Sequence, residues 1–174
     1  MAIKQNNKTR NYLCKKFCTT TLLLVGVIFA SCENGIVYED ATLINPKGWY
    51  KEDLASFDYQ ATDTAGTYDI IIDLRNTADY PYKNFWLFVR SLSPDGLEYK
   101  DTLECVLADN YGRWIGKPSG SMYTLPVIFQ NGVKFPKLGN YHFDFAQGMR
   151  ADTLKGIAEL GIRIERNKTA NGEK

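Results

Sequence analysis

From Tyr68 onward the chain is a succession of short runs in which apolar and polar residues alternate, cut by glycine, proline, asparagine and aspartate. The run TYDIIIDLRN sets Tyr68, Ile70, Ile72 and Leu74 on one face and Asp69, Ile71, Asp73 and Arg75 on the other, the period of a half-buried strand. KNFWLFVRSLS is apolar on both faces from Phe85 to Val89, which predicts a central strand. SPDG, Ser93 to Gly96, predicts a turn into a strand around EYKDTLECVLA, and DNYG, Asp109 to Gly112, predicts the next turn. In MYTLPVIFQNG, Tyr123, Leu125, Val127 and Phe129 share a face ahead of an expected Asn131-Gly132 turn, and Pro126 calls for an edge or bulged strand. FPKLGNYHFDFAQ sends Tyr141, Phe143 and Phe145 inward and His142 and Asp144 outward. In LKGIAELGIRIER, Leu154 to Leu160 fits a helical turn, but the alternation of Leu160, Ile162 and Ile164 favours a final strand.

No long segment after Cys32 has the 3.6-residue period of a helix. Seven to nine strands separated by turn residues predict an all-β fold, a two-layer antiparallel β-sandwich that is immunoglobulin-like or jelly-roll-like. The Gly139-x-Tyr141 step into a strand resembles the tyrosine corner of immunoglobulin-like sandwiches, whose hydroxyl bonds back to the turn. The sandwich is expected over residues 49–166, after a polar stretch over 32–48 that holds a short first strand at Ile36 to Glu39, and before a polar tail over 167–174.

Charge and cysteine usage separate the first 31 residues from the rest. Lys4, Lys8, Arg10, Lys15 and Lys16 all precede Cys32 and every acid follows it, leaving 16 Lys and Arg against 20 Asp and Glu, a net charge of −4. That balance argues against a nucleic-acid surface, which needs concentrated basic charge. Basic start, apolar centre and small-residue end have the plan of a cleaved secretory signal over residues 1–31. The apolar stretch Leu22 to Ala30 is nine residues, short of the ~20 that span a bilayer. Cys14 and Cys18 fall in that segment, and Cys105 alternates with Leu103 and Leu107 as a core thiol, so Cys32 has no expected disulfide partner. Phe29-Ala30-Ser31-Cys32 resembles a bacterial lipobox, although Phe29 stands where leucine is usual. The expectation is lipid attachment at Cys32, with several acyl chains giving stable anchoring.

Catalytic chemistry finds little footing. The chain has one histidine, His142, expected as a solvated side chain, and phase keeps it away from Cys105. No GxSxG, HExxH, P-loop or GxGxxG is present, and pairs such as Asp69 with Asp73 or Asp101 with Glu104 read as outward charges. Asp109 and Asn110 lack the further oxygens of a calcium loop, so no metal and no cofactor is expected. These residues argue against an enzyme. Trp86 is expected to pack in the core, whereas Tyr80, Tyr82, Tyr111 and Trp114, with Arg113 and Lys117 beside them, form a candidate protein-binding or glycan-binding surface on loops.

The order of these segments resembles the gliding motility lipoprotein GldH family of Bacteroidetes-type bacteria. The resemblance is carried by IVYED after Cys32, by YDIIIDLRNTADYPYKNFWLFVRSLSPDG, DTLECVLAD, GRWIGKPSGSMY and VKFPKLGNYHFDFAQGMR, and by LKGIAELGIRIER. It implies a lipid-anchored envelope protein without catalytic residues, acting with other gliding and secretion envelope lipoproteins and the type IX secretion machinery. An outer-membrane location facing the periplasm is expected. The alternative function is a glycan-binding lipoprotein of a polysaccharide-capture system.

Overall fold

A computed structural model describes residues 35–167; Cys32, the signal segment and the tail from residue 168 lie outside the described residues. Eleven strands follow in chain order: β1 (Ile36–Leu43), β2 (Trp49–Tyr50), β3 (Ala55–Ala61), β4 (Tyr68–Thr77), β5 (Asn84–Leu92), β6 (Glu98–Val106), β7 (Lys117–Ser119), β8 (Met122–Val133), β9 (Gly139–Gln147), β10 (Thr153–Leu154) and β11 (Ile157–Arg166). They form a five-stranded sheet in the order β1-β11-β4-β8-β7, a four-stranded sheet in the order β3-β9-β5-β6, and a β10-β2 pair.

All pairings are antiparallel, and one set of them is nested, while β4 with β11 and β5 with β9 join the nested pairs side by side into the two sheets. The first long strand pairs with the last (β1 with β11), then β3 with β9, β4 with β8 and β5 with β6, so the chain is one long hairpin rolled into two layers. That is jelly-roll connectivity, and it decides between the two sandwich types that strand count and alternation left open. The tyrosine corner is nonetheless present as a local device: the Lys137 amide donates to the Tyr141 hydroxyl at 3.2 Å.

The core sits between the layers. Ile70, Ile72 and Leu74 of β4 and Leu160, Ile162 and Ile164 of β11 face Phe57, Leu87, Phe143 and Phe145 of the other sheet, all buried. Cys105 is buried among them as expected, a free thiol pushed up to about 12 by burial. An aromatic cluster of Tyr59, Tyr68, Phe135 and Tyr141 closes one end, with ring centroids 4.9–5.5 Å apart.

Three expectations change. β1 runs from Ile36 to Leu43, longer than the short strand expected, and is hydrogen-bonded along β11, so the sandwich begins at Ile36 and not at residue 49. Asn131-Gly132 is not a turn, because β8 continues to Val133. Gly132, at φ +64°, takes up an extra residue as a bulge and its amide donates to Asp69 Oδ1 at 2.8 Å. Trp86 points out of the sandwich and is only half-buried, because inward positions on β5 fall to Phe85, Leu87 and Val89. β8 also explains Pro126: β7 covers only Met122–Thr124, so the proline stands just beyond it, at an edge where a missing N–H costs no ladder bond.

Candidate functional site

The outer face of the four-stranded sheet carries two unlike halves. Strand register brings Ser56 and Asp58 of β3 opposite Asp144 and His142 of β9, and Arg90 of β5 opposite Asp144. The Asp144 carboxylate, 4% exposed, accepts from Ser56 Oγ at 2.5 Å and from the Arg90 guanidinium, and it bonds His142 Nε2 at 3.0 Å. His142 Nδ1 bonds Asp58 at 2.9 Å, and Asn140 Nδ2 donates to the same carboxylate at 2.8 Å. The Asp58 hydrogen bond, reinforced by the charge of Asp144, holds His142 above its ordinary pKa against partial burial. Burial alone would raise Asp144, but the Ser56 and Arg90 hydrogen bonds and the His142 and Arg90 charges lower it. Both ring nitrogens are engaged by carboxylates and Ser56 donates to Asp144 rather than to the imidazole, so this is a structural brace across three strands and not a nucleophile–base pair.

The other half is apolar. Outward positions on β5 place Trp86 and Phe88 in the middle of the face, with Phe88 52% exposed. The neighbouring outward residues are Ala146 of β9 and Gly148 just after it, which leave depressions on either side of the Phe88 ring. A Cβ at Gly148 would sit 3.2 Å from Trp86 Cβ and 3.3 Å from Phe88 Cε2, so the glycine lets that strand lie close against both aromatics. Tyr82 and Leu54, 43% and 55% exposed, extend the stripe at its two ends. An antiparallel sheet facing water ordinarily alternates polar residues outward, and contiguous exposed apolar surface marks a contact site.

The residues singled out from the sequence divide. Tyr80 is buried at 3% exposure, donates its hydroxyl to the Asn84 carbonyl at 2.9 Å and has its pKa raised by burial, so it is not available on a surface. It links Tyr82 (5.7 Å) and Trp114 (6.4 Å), and Trp114 in turn meets Tyr123 at 5.7 Å, so Trp114 is half-buried between loop and sheet. Tyr111 is 86% exposed under the Arg113 guanidinium, 5.3 Å away, on the turn whose amides at 111 and 113 donate to Asp109. Those bonds use Asp109 as a turn cap and hold it below the ordinary carboxylate range. Lys117 is exposed on β7. Cys32 lies outside the described residues. Among the described residues no group of three or more His, Cys, Asp or Glu is placed to hold a metal. Trp86 and Phe88 were legible as an apolar strand but not as a surface, since alternation cannot say that nothing covers the second face.

Comparison with known proteins agrees with the segment order. A family model described as GldH lipoprotein matches residues 36–164. A gliding motility lipoprotein GldH homolog of Christiangramia forsetii is 31% identical over 148 residues, covering 81% of this chain and 90% of that protein. Gliding motility lipoprotein GldH of Flavobacterium johnsoniae is 28% identical over 151 residues, covering 83% and 93%. Among solved structures, the VP2 subviral particle of infectious bursal disease virus aligns at TM-score 0.33 and 8% identity, over 75% of this chain and 30% of that one, a likeness too slight to bear on fold or function. With a family match across almost the whole sandwich and two relatives aligned over most of their length, the chain belongs to the GldH lipoprotein family.

Proposed function

We propose that this protein is a lipid-anchored, non-catalytic component of the bacterial cell envelope that serves gliding motility and the associated type IX secretion machinery through a binding surface. The surface is the outer face of the four-stranded sheet, and its partners are other gliding and secretion envelope lipoproteins. The anchor is lipid on Cys32, with the domain on the outer membrane facing the periplasm. The observation that carries the reading is the Trp86–Phe88 stripe: two aromatics at outward positions of a central strand, beside small residues, on a protein whose core is complete without them. A non-catalytic role is supported by an imidazole engaged on both sides by carboxylates and by a thiol that burial keeps protonated.

The test is complementation of a gene deletion. Phe88→Ser, at a half-exposed site, should cost under about 1 kcal/mol of stability yet abolish rescue of surface spreading and secretion. Cys32→Ser should lose lipid labelling and release the protein from membranes. Intact spreading and secretion in the deletion strain would defeat the reading.

A second reading, glycan binding, is favoured by the neutral hydrogen-bonding groups Asn84 and Thr102 lining the same depression as Tyr82 and Trp86. A glycan array probed with the protein body decides it, since a blank array leaves only the protein-binding role.

A further inference from the structure

The sandwich is not closed evenly along its β8 side. Among the described residues no strand continues β7 past Pro126, and between β8 and β6 the layers part around a cleft of about 430 Å³. Its floor is core: Ile70, Val89 and Phe143 are all buried. Phe129 forms a wall, and Leu97 and Tyr99, 54% and 60% exposed, stand at the mouth. Tyr99 is in phase with Leu103 and Cys105 and faces inward on β6, yet it stays 60% exposed because no described strand lies opposite to bury it. On β5 the inward series Phe85, Leu87, Val89 ends in Ser91, and the small side chain keeps the space open.

The cleft has a definite place relative to the start of the folded domain. The Arg166 amide donates to the Gly35 carbonyl at 2.7 Å, Arg166 pairs with Tyr68, and Tyr68 pairs with Val133 at the cleft. These residues form one row across β1, β11, β4 and β8, and at ~4.8 Å per strand the cleft lies about 14 Å from Gly35. Cys32 is three residues earlier in the sequence. Three residues of chain reach at most about 11 Å, so a lipid on that cysteine would keep Gly35 within that distance of a bilayer surface. At the mouth Lys100 bonds Glu98 at 2.8 Å, Lys137 lies in the field of Asp95, and Asp101 and Lys134 also line the cleft, so both signs of charge are present there.

We infer that the cleft takes one acyl chain of a bilayer phospholipid. Its size is that of a small-ligand pocket, and its floor and wall are hydrocarbon and aromatic. Only the source of the lipid rests on the Cys32 reading; the capacity to hold the chain does not.

The protein body over residues 33–174, which contains every strand and core residue among the described residues, is mixed with vesicles of phosphatidylethanolamine and phosphatidylglycerol that include a phospholipid with one pyrene-labelled acyl chain. Saturable uptake of the labelled lipid is expected. Leu97→Asp, at the exposed mouth, should weaken uptake on the order of tenfold with unchanged melting, and Ser91→Phe should do so by filling the slot. No uptake, or uptake that Leu97→Asp leaves intact, overturns the inference. Binding of free palmitate without uptake of the phospholipid overturns it as to source. Lipid labelling of the full chain in cells, with and without Cys32→Ser, reports on the anchor alone, so either failure is readable without the other.

Discussion

On the outer face of the five-stranded sheet, Arg163 is bracketed by Asp73 at 3.0 Å and by Glu165, while Arg75 bonds Glu159 at 3.0 Å and Thr124 at 3.2 Å. On the outer face of the four-stranded sheet, the same economy of paired charge holds only for the half built on Asp144, and the other half is Trp86, Phe88 and their small neighbours. Cross-strand ion pairs let a sheet face water without inviting a partner. Around Phe88 the Arg90–Asp144 pair borders one side and exposed apolar area the other, and that difference between the two faces is what supports the proposed contact surface.

The sharpest break of that comparison is at Asp144. Replacing it with alanine leaves Arg90, Ser56 and His142 without their shared acceptor. Arg90, 45% exposed, recovers part of its solvation, so the expected cost is about 2 kcal/mol, read as a lowered urea midpoint with unchanged slope. Arg163→Ala on the other sheet, where the carboxylates it leaves behind are more accessible, should cost less than half as much. Equal losses would mean that the Asp144 brace is no more than a surface ion pair.

A smaller effect comes from titrating the brace. His142 has its pKa raised in the folded protein, so its stabilisation is complete below its ordinary value near 6.5 and is lost as pH rises through the folded value. Asp58 and Asp144 are lowered, so their contribution is present above the ordinary carboxylate range and is lost as pH falls through their folded values. Thermal unfolding between pH 5 and 8 should show the melting temperature falling above about pH 6.5. His142→Gln should flatten that limb, and an unchanged limb would move the titration elsewhere.

The strands and their inward residues were readable because a period of two reports burial directly: Ile70, Ile72 and Leu74, or Phe143 and Phe145, need only their own neighbours to be assigned. What alternation does not contain is which strand lies beside which. Jelly-roll order depends on pairings such as Ile36 with Glu165, at opposite ends of the domain, and the same short strands serve either sandwich. The site suffered from the same gap. Alternation puts His142 outward, but outward is not the same as solvated: its ring bonds Asp58 of β3 and Asp144 of its own strand, and Asp144 is in turn held by Ser56 of β3 and Arg90 of β5. Apolar residues on both faces of β5 point Trp86 to the core; the sheet order shows that no described strand covers its outer face.

The smallest expected effect separates the sheet face from the loops. Tyr111 is the most exposed aromatic in the described residues, and its contact is the Arg113 guanidinium over its ring at 5.3 Å, on a turn held by Asp109 whether or not the ring is there. An exposed cation–π contact contributes about 0.5 kcal/mol, so Tyr111→Ala should barely move the melting temperature. It lies outside the Trp86–Phe88 stripe, and with that face as the functional surface it should also leave surface spreading and secretion at wild-type levels. Phe88→Ser and Tyr111→Ala thus remove exposed aromatic area at similar small cost to the fold, one on the sheet and one on a loop. If the loop variant is the one that fails to complement, the bare sheet face is an incidental feature and the contact surface lies on the Asp109 to Trp114 turn.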